Sequence, residues 1–443
     1  MVPPWAGIAL VLCALSALMA GANVFQRRCA PHPEVVRKLL HLGMGLLSLS
    51  LPWLFTSPWP VLVFVALTVL GMLVLRISTP LRTQLGRVIH GVPRPSLGEV
   101  YFPLSVGVIF FLSRGDPFLF GIPILVLALA DAVAALVGIR YGQLRYATAE
   151  GDKSAEGSLA FFTVAFLSTH IPLLLFTGTG RAESLLIALT LGLLVMLLEA
   201  VSWSGLDNLF IPLGGFILLK TYLTMDVPHL AARLAVTVIL VAFVLFWRRR
   251  TTLNDSALLG AALVGYACWA LGGWRWMVAP FTLFVVYALL SPRTARTNWR
   301  LHDIHSVVSI TSVSLLWLFL ARTLGRAEFF YPYTLGYAIH LAIMGIARLK
   351  HDYPRLPDPV VLSTAVVKSW LLLFLPFVLL EGFTAKILLM VLGGFVGTAL
   401  GGIAFYTIQP GLDDCPADAP RWVRQAGIAA TASVLSLVPL YLV

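Results

Sequence analysis

Apolar stretches of about 20 residues recur from one end of the chain to the other, and no other feature constrains the fold as tightly. A helix of that length rises through the roughly 30 Å hydrocarbon core of a bilayer. A membrane β-barrel would read instead as alternating segments of about 10 residues. The stretches predict sixteen spans, at 5–24, 40–56, 58–77, 100–113, 117–137, 158–177, 183–201, 209–223, 229–247, 255–272, 274–291, 303–321, 331–347, 360–381, 385–407 and 425–443. Composition agrees, with 59% hydrophobic and 12% charged residues, where an average soluble domain carries about 25% charged. These values exclude a soluble globular enzyme, a disordered chain and a disulfide scaffold. The expected fold is an all-α, polytopic helical membrane protein with about 16 transmembrane helices.

Charge placement sets the expected orientation. Taking alternate loops before residue 250, one side holds Arg27, Arg28, Arg37, Lys38, Arg76, Arg82, Arg87, Arg94, Arg140, Arg145, Lys153 and Arg248 to Arg250. The other side holds only Arg114 and Arg181, a ratio of fourteen to two. Cytoplasmic loops carry the excess of Lys and Arg, so the first set is expected inside and the N-terminus outside. Arg293, Arg296, Arg300, Arg348, Lys350 and Arg355 extend the pattern more weakly. The same bias explains the net charge of +11 without a nucleic-acid partner. Four scattered cysteines, Cys13, Cys29, Cys268 and Cys415, fit neither a disulfide framework nor a metal site. The first apolar run lacks a preceding basic region and reads as a retained helix. An Arg-rich set of cations with six lysines suits a high-GC bacterial genome and its cytoplasmic membrane. The basic break at Trp247–Asp255 divides the chain into two expected modules, 1–250 and 251–443.

Ionisable groups at membrane helices are costly and mark candidate sites. Asp131 interrupts the run FLFGIPILVLALADAVAALVG and is followed by Ala134, Gly138, Gly142 and the segment GDKSAEGS at Gly151–Ser158. Small residues let a base or phosphate approach the backbone, Lys153 can pair with phosphate, and Ser154 can cap the next helix. Asp131, Asp152 or Glu156 can hold Mg2+. Small residues at these spacings also serve helix packing alone, and no Walker A loop is present. A second cluster places Glu34, Arg37, Lys38 and His41 on one helix face. A third joins Glu199 to Asp207 and Asn208, although helix capping accounts for the last two. Arg94 to Pro103 adds Glu99 and Tyr101. All four clusters fall at expected cytoplasmic helix ends of the first module.

With these residues, positions 30–225 resemble the dolichol kinase and phytol kinase family of CTP-dependent lipid-alcohol kinases, which includes the yeast-type diacylglycerol kinase. The resemblance rests on RKLLH at Arg37–His41, GEVYFPL at Gly98–Leu104, DAVAALVGIRYG at Asp131–Gly142, GDKSAEGS, and Glu199 with LDNLFIPL at Leu206–Leu213. The family's nucleotide motif is matched by Asp131, Ala134, Gly138, Gly142, Lys153, Ser154, Glu156 and Gly157. The resemblance implies transfer of the CTP γ-phosphoryl group to a prenol-type alcohol in the bilayer, with Mg2+ or another divalent cation. In that scheme Lys153 and the Ser154–Gly157 helix start hold phosphates, while Asp131 with Glu156 or Asp207 holds the metal. Glu199 and Asn208 support that shell, with Glu99 and Tyr101 at the substrate. Arg37 and Lys38 stabilise developing charge, and His41 or a carboxylate accepts the alcohol proton.

From residue 253 the chain bears a weaker resemblance to the phytyl-phosphate kinase family, carried by Gly260, Gly265, Gly272, Gly273 and Trp274. No acidic, Ser-rich motif follows, and the second module is read as divergent and noncatalytic. Asp413, Asp414 and Asp418 read as a solvated loop, and LGGFVGTALGG at Leu392–Gly402 fits helix packing. Two rival functions remain open at this point. A CDP-lipid-forming cytidylyltransferase would also join CTP to lipid, releasing pyrophosphate. A transporter would place its ionisable groups near the midplane on discontinuous helices.

Overall fold

The computed structural model describes residues 3–77, 97–149, 151–247, 251, 253–290, 302–412 and 418–437. Arg82, Arg87, Arg94 to Ser96, Arg248 to Arg250, Arg293, Arg296, Arg300, Asp413, Asp414 and Cys415 lie outside them. The chain is an all-α polytopic membrane protein. Among the described residues, eleven helices are long and apolar enough to cross a membrane, and Gly98–Ser113 is a shorter apolar helix. Each of the sixteen predicted apolar stretches overlaps helix among the described residues, 40–56 being split between two helices, and 438–443 of the last stretch lie outside them. Two compact units divide the chain at Ile239 and Leu240, inside a helix and upstream of the basic break.

The first unit runs α1 (Pro4–Cys29), α2 (Pro33–Leu49), the single turn α3 (Leu51–Leu54), α4 (Pro58–Ile77) and α5 (Gly98–Ser113). Then come α6 (Pro117–Leu125), a π turn (Val126–Ala130) and α7 (Asp131–Tyr141). A hairpin follows, β1 (Arg145–Thr148) and β2 (Gly151–Ser154), then α8 (Ala155–Phe176), α9 (Arg181–Val201), α10 (Asp207–Tyr222) and α11 (Val227–Trp247). Local chemistry explains the boundaries. Pro33 opens α2, where its missing N–H costs nothing. The Asp116 carboxylate accepts from the Phe118 and Leu119 amides at 2.9 and 3.0 Å and caps α6.

The broken helix α6–α7 forms the centre of this unit, packed against α2, α5, α8 and α10. Four of the five residues of its π turn are buried, Val126 to Ala128 and Ala130. A π turn inserts one residue into the helical ladder and rotates the face that follows. Asp131 is the first residue after the insertion. Gly45 of α2 packs directly on Ala128, leaving no room for a side chain. That contact sets α2 tightly against the π turn that precedes Asp131.

The second unit contains α12 (Asp255–Gly272), α13 (Trp274–Leu290), α14 (Ile304–Leu324), a 3-10 turn (Ala327–Phe329), α15 (Phe330–Asp352), α16 (Asp358–Glu381), α17 (Ala385–Ile408) and α18 (Ala419–Leu435). Its centre is α15, surrounded by α14, α16, α17 and α18. The Gly-rich segment of α17 packs against it: a Cβ on Gly397 would lie 2.9 Å from Leu335, and one on Gly401 2.8 Å from Ile339. Small residues allow this approach where lipid supplies no hydrophobic driving force between helices. Asp418 caps α18 by accepting from the Arg421 amide at 3.0 Å.

Candidate active site

The site grows from α2, where Glu34, Arg37, Lys38 and His41 share a face. Glu34 accepts two hydrogen bonds from Arg37, at 3.0 and 2.5 Å, and so orients the guanidinium. Burial alone would lower the Arg37 pKa, but the hydrogen bond and charge of Glu34 raise it. One residue on, the Lys38 ammonium donates to both oxygens of Asp131, each at 2.6 Å. His41 Nε2 lies 3.7 Å from Asp131 Oδ2. It is buried without a hydrogen-bond partner among the described residues. Lys38, Asp131 and His41 are only 5, 7 and 8% exposed. Burying a charge in a membrane protein is tolerated when its partner is this close.

The hairpin brings the second cation. Tyr146 pairs across the strands with Lys153, and the Tyr146 hydroxyl meets Ser158 at 2.7 Å. Lys153 donates to Glu199 Oε1 at 2.7 Å and to the Glu199 carbonyl at 2.5 Å. Burial pushes the Lys153 pKa down, but the Glu199 carboxylate outweighs it and holds the ammonium above its ordinary value. Ser154 caps α8, its hydroxyl accepting from the Gly157 amide at 3.1 Å. The Ala155 amide donates to the Leu144 carbonyl at 2.8 Å. Two amides of the α8 start are therefore spent within the protein.

The glycine stripe fixes where this hairpin sits. A Cβ on Gly138 would lie 3.2 Å from Ser154 Oγ, and one on Gly157 3.0 Å from the Ala134 carbonyl. One on Gly142 would lie 2.8 Å from both Cβ and Oγ of Ser154. Ala134, Gly138 and Gly142 thus face the start of α8 across a backbone-to-backbone contact. Gly142→Val overpacks this contact and is expected to cost about 1–3 kcal/mol. A lowered unfolding midpoint in detergent checks it, and an unchanged midpoint contradicts the packing role.

The remaining predicted residues fall in three places. Asp207 lies at the start of α10, where its charge acts on Arg37, His41 and Lys153. Asn208 Nδ2 points at the Gly205 carbonyl (3.3 Å) and Asp207 Oδ1 (3.4 Å), and Asn208's own Oδ1 is buried without a hydrogen-bond partner among the described residues. The Leu97 amide donates to the Ser204 carbonyl at 3.1 Å, tying α5, with Glu99 and Tyr101, to the loop before α10. Glu99 itself pairs with Arg76 at 3.0 Å. Glu156 points elsewhere, its carboxylate accepting from the Leu144 amide at 3.1 and 3.3 Å. Arg76 and Tyr146 were absent from the predicted site. Arg76 reads as an orientation charge, and β1 is too short to show an alternating pattern.

For a divalent cation the donor set is uneven. Among the described residues, no three acidic, His or Cys side chains converge as a ready-made metal cluster. Both Asp131 oxygens face Lys38, and Glu156 is held at the hairpin. Asp207 and the orphaned Asn208 Oδ1 fit best, as a small oxygen pair completed by phosphate oxygens, the sparse protein ligation Mg2+ accepts.

Comparison with known proteins bears on about half of the chain. No family model matches it, and no solved structure does. A phytol kinase from Synechocystis sp. is 34% identical over 214 residues, which is 48% of this chain and 89% of that protein. Over about half of its length, the chain therefore belongs to the phytol kinase and dolichol kinase family.

Proposed function

We propose that the first unit transfers the γ-phosphoryl group of CTP to the hydroxyl of a prenol-type alcohol, such as phytol or a polyprenol, at the cytoplasmic face of the membrane. One observation carries the reading: the buried Lys38–Asp131 pair beside His41 joins the two family motifs that lie 93 residues apart in sequence. The similarity to a phytol kinase supports the acceptor class. The Arg and Lys excess on one side of the first unit supports the cytoplasmic face.

Phosphoryl transfer asks a protein mainly for positioning and charge neutralisation. In this scheme Lys153 and Arg37 bind the nucleotide phosphates. Glu199 and Glu34 aim those cations. Ser154, Gly138, Gly142 and Gly157 hold the hairpin against α7 and so place Lys153. Lys38 stabilises charge on the transferring group, and its exchange between Asp131 and phosphate leaves Asp131 beside His41. His41 Nε2, or Asp131 once released, accepts the alcohol proton. A divalent cation, held by Asp207 and Asn208, would neutralise phosphate charge when bound. The reaction belongs to the first unit in this reading, and residues 240–443 take no part in it.

The test uses membranes containing the full chain, with phytol or a polyprenol and either γ-labelled CTP or γ-labelled ATP. Label is expected in lipid from CTP, and a chelator of divalent cations is expected to stop it. Label from ATP alone overturns the nucleotide assignment. Labelling that survives chelation overturns the metal.

A further inference from the structure

A narrow cleft lies between α1, α2, α4 and α5, and the chemistry above does not use it. Val11 and Leu15 form one wall, Phe64 and Met72 another, and Leu47, Leu51 and Val106 fill in the rest. Two hydroxyls line it, but neither is offered to the interior. Ser48 donates to the Met44 carbonyl at 2.8 Å, and Thr68 donates to the Phe64 carbonyl at 2.9 Å. The walls are therefore apolar in effect as well as in composition. Among the described residues the single charged one lining it is Glu99, held at one end by Arg76 at 3.0 Å. From Phe64 to Met72, eight residues along α4, the cleft extends about 12 Å.

The cleft is continuous with the charged site. Phe102 lines it, and the same ring packs edge-on against His41 with centroids 5.1 Å apart. On α2 the stripe that carries Lys38 and His41 continues through Gly45 to Ser48, which lines the cleft. An occupant of this apolar slot would thus have one end within reach of His41 through Phe102. Met44 and Met72 can move aside for a chain thicker than the resting slot, since thioether side chains are flexible.

We propose that this cleft holds the hydrocarbon chain of the acceptor alcohol, with the hydroxyl end at Glu99 and Phe102 and the chain running toward Leu51 and Phe64. The assignment rests on the kinase reading for the identity of its occupant. Glu99, oriented by Arg76, then accepts a hydrogen bond from the alcohol and presents its oxygen toward His41. Bulk hydrophobicity does not drive entry, because the bilayer is as apolar as the slot. Shape selects instead, so the cleft's length sets the preferred chain.

Two measurements on the full chain test this. Leu51→Trp and Phe64→Trp close the slot at its far end, away from Glu99, Lys38 and Asp131. Each is expected to raise KM for phytol by about tenfold while changing kcat/KM for the shorter geraniol by less than about threefold. Equal losses on both alcohols, or no loss on either, overturn the cleft. The second measurement reads occupancy without turnover, so it decides the cleft even if no alcohol is phosphorylated. A phytol analogue with a photoreactive group at the chain end is crosslinked to the wild-type chain, and the modified peptides are identified. Crosslinks at α1 or α4 near Val11 and Phe64, suppressed by excess phytol and unaffected by excess phospholipid, support the proposal. Crosslinks elsewhere, or suppression by phospholipid alone, overturn it. Absence of turnover with correct crosslinking counts against the kinase reading and leaves the cleft standing.

Discussion

Asp131→Asn and Lys38→Met are each expected to lower lipid-alcohol phosphorylation by roughly 10²–10³-fold, the loss typical of removing one preorganised electrostatic group from a transition state. Each is also expected to destabilise the fold by about 3–5 kcal/mol, because the partner charge is left buried and unpaired. The two effects separate in the double variant Lys38→Met with Asp131→Leu. Without any buried charge its unfolding midpoint in detergent is expected to return toward that of the wild type. Turnover is expected to stay at least as low as in the single variants, since Lys38 no longer stabilises charge on the transferring group. If the double variant recovers both stability and turnover, the pair is a structural strut and the site lies elsewhere. The geometry behind this expectation is the twin 2.6 Å contact from Lys38 to Asp131, with His41 3.7 Å away.

The next largest effect is expected at Lys153. Lys153→Met removes the cation that the hairpin presents, so KM for the nucleotide should rise at least about tenfold and kcat/KM fall by about 10². Glu199→Gln should cost less, about tenfold in kcat/KM, because the Glu199 carbonyl still accepts from the ammonium at 2.5 Å. Steady-state kinetics with varied nucleotide checks the order of the two variants. A larger loss in Glu199→Gln would mean that the carboxylate, rather than the ammonium, meets the ligand. The Lys153 pKa is raised in the folded chain above the ordinary 10.5, chiefly by Glu199 against the opposing effect of burial. The pair's stabilisation is therefore complete below that ordinary value and is lost as pH rises through the folded one. Lys153 stays charged through neutral pH.

Hydropathy made most of the helices legible, because runs such as 58–77 and 385–407 carry nothing else of that length and composition. It fails where helices begin in polar sequence. α2 starts at Pro33, not near residue 40, since the charges of Glu34, Arg37 and Lys38 break the apolar run over its first turns. The π turn is invisible for the opposite reason: an inserted residue inside VLALA leaves an apolar run unbroken. The hairpin of four-residue strands is too short to show its period, and its pairing of Tyr146 with Lys153 emerges only from the register. At the site, the motifs pointed to Lys38, Asp131, Lys153 and Glu199, but spacing does not say which charge meets which. Asp131 and Glu156 share a motif yet face different partners, Lys38 and the Leu144 amide. Long-range pairing depends on how α2 docks on the π turn through Gly45 and Ala128, a contact between small residues that leaves little mark in composition.

The central claim concerns which phosphorus atom reaches the lipid. Purified full-length chain is given phytol and CTP, labelled at the γ position in one sample and at the α position in the other. The account predicts γ label in the lipid as a phosphate monoester, with CDP released and no α label transferred. Label entering lipid from the α position, with release of pyrophosphate, would contradict it and identify cytidylyl transfer.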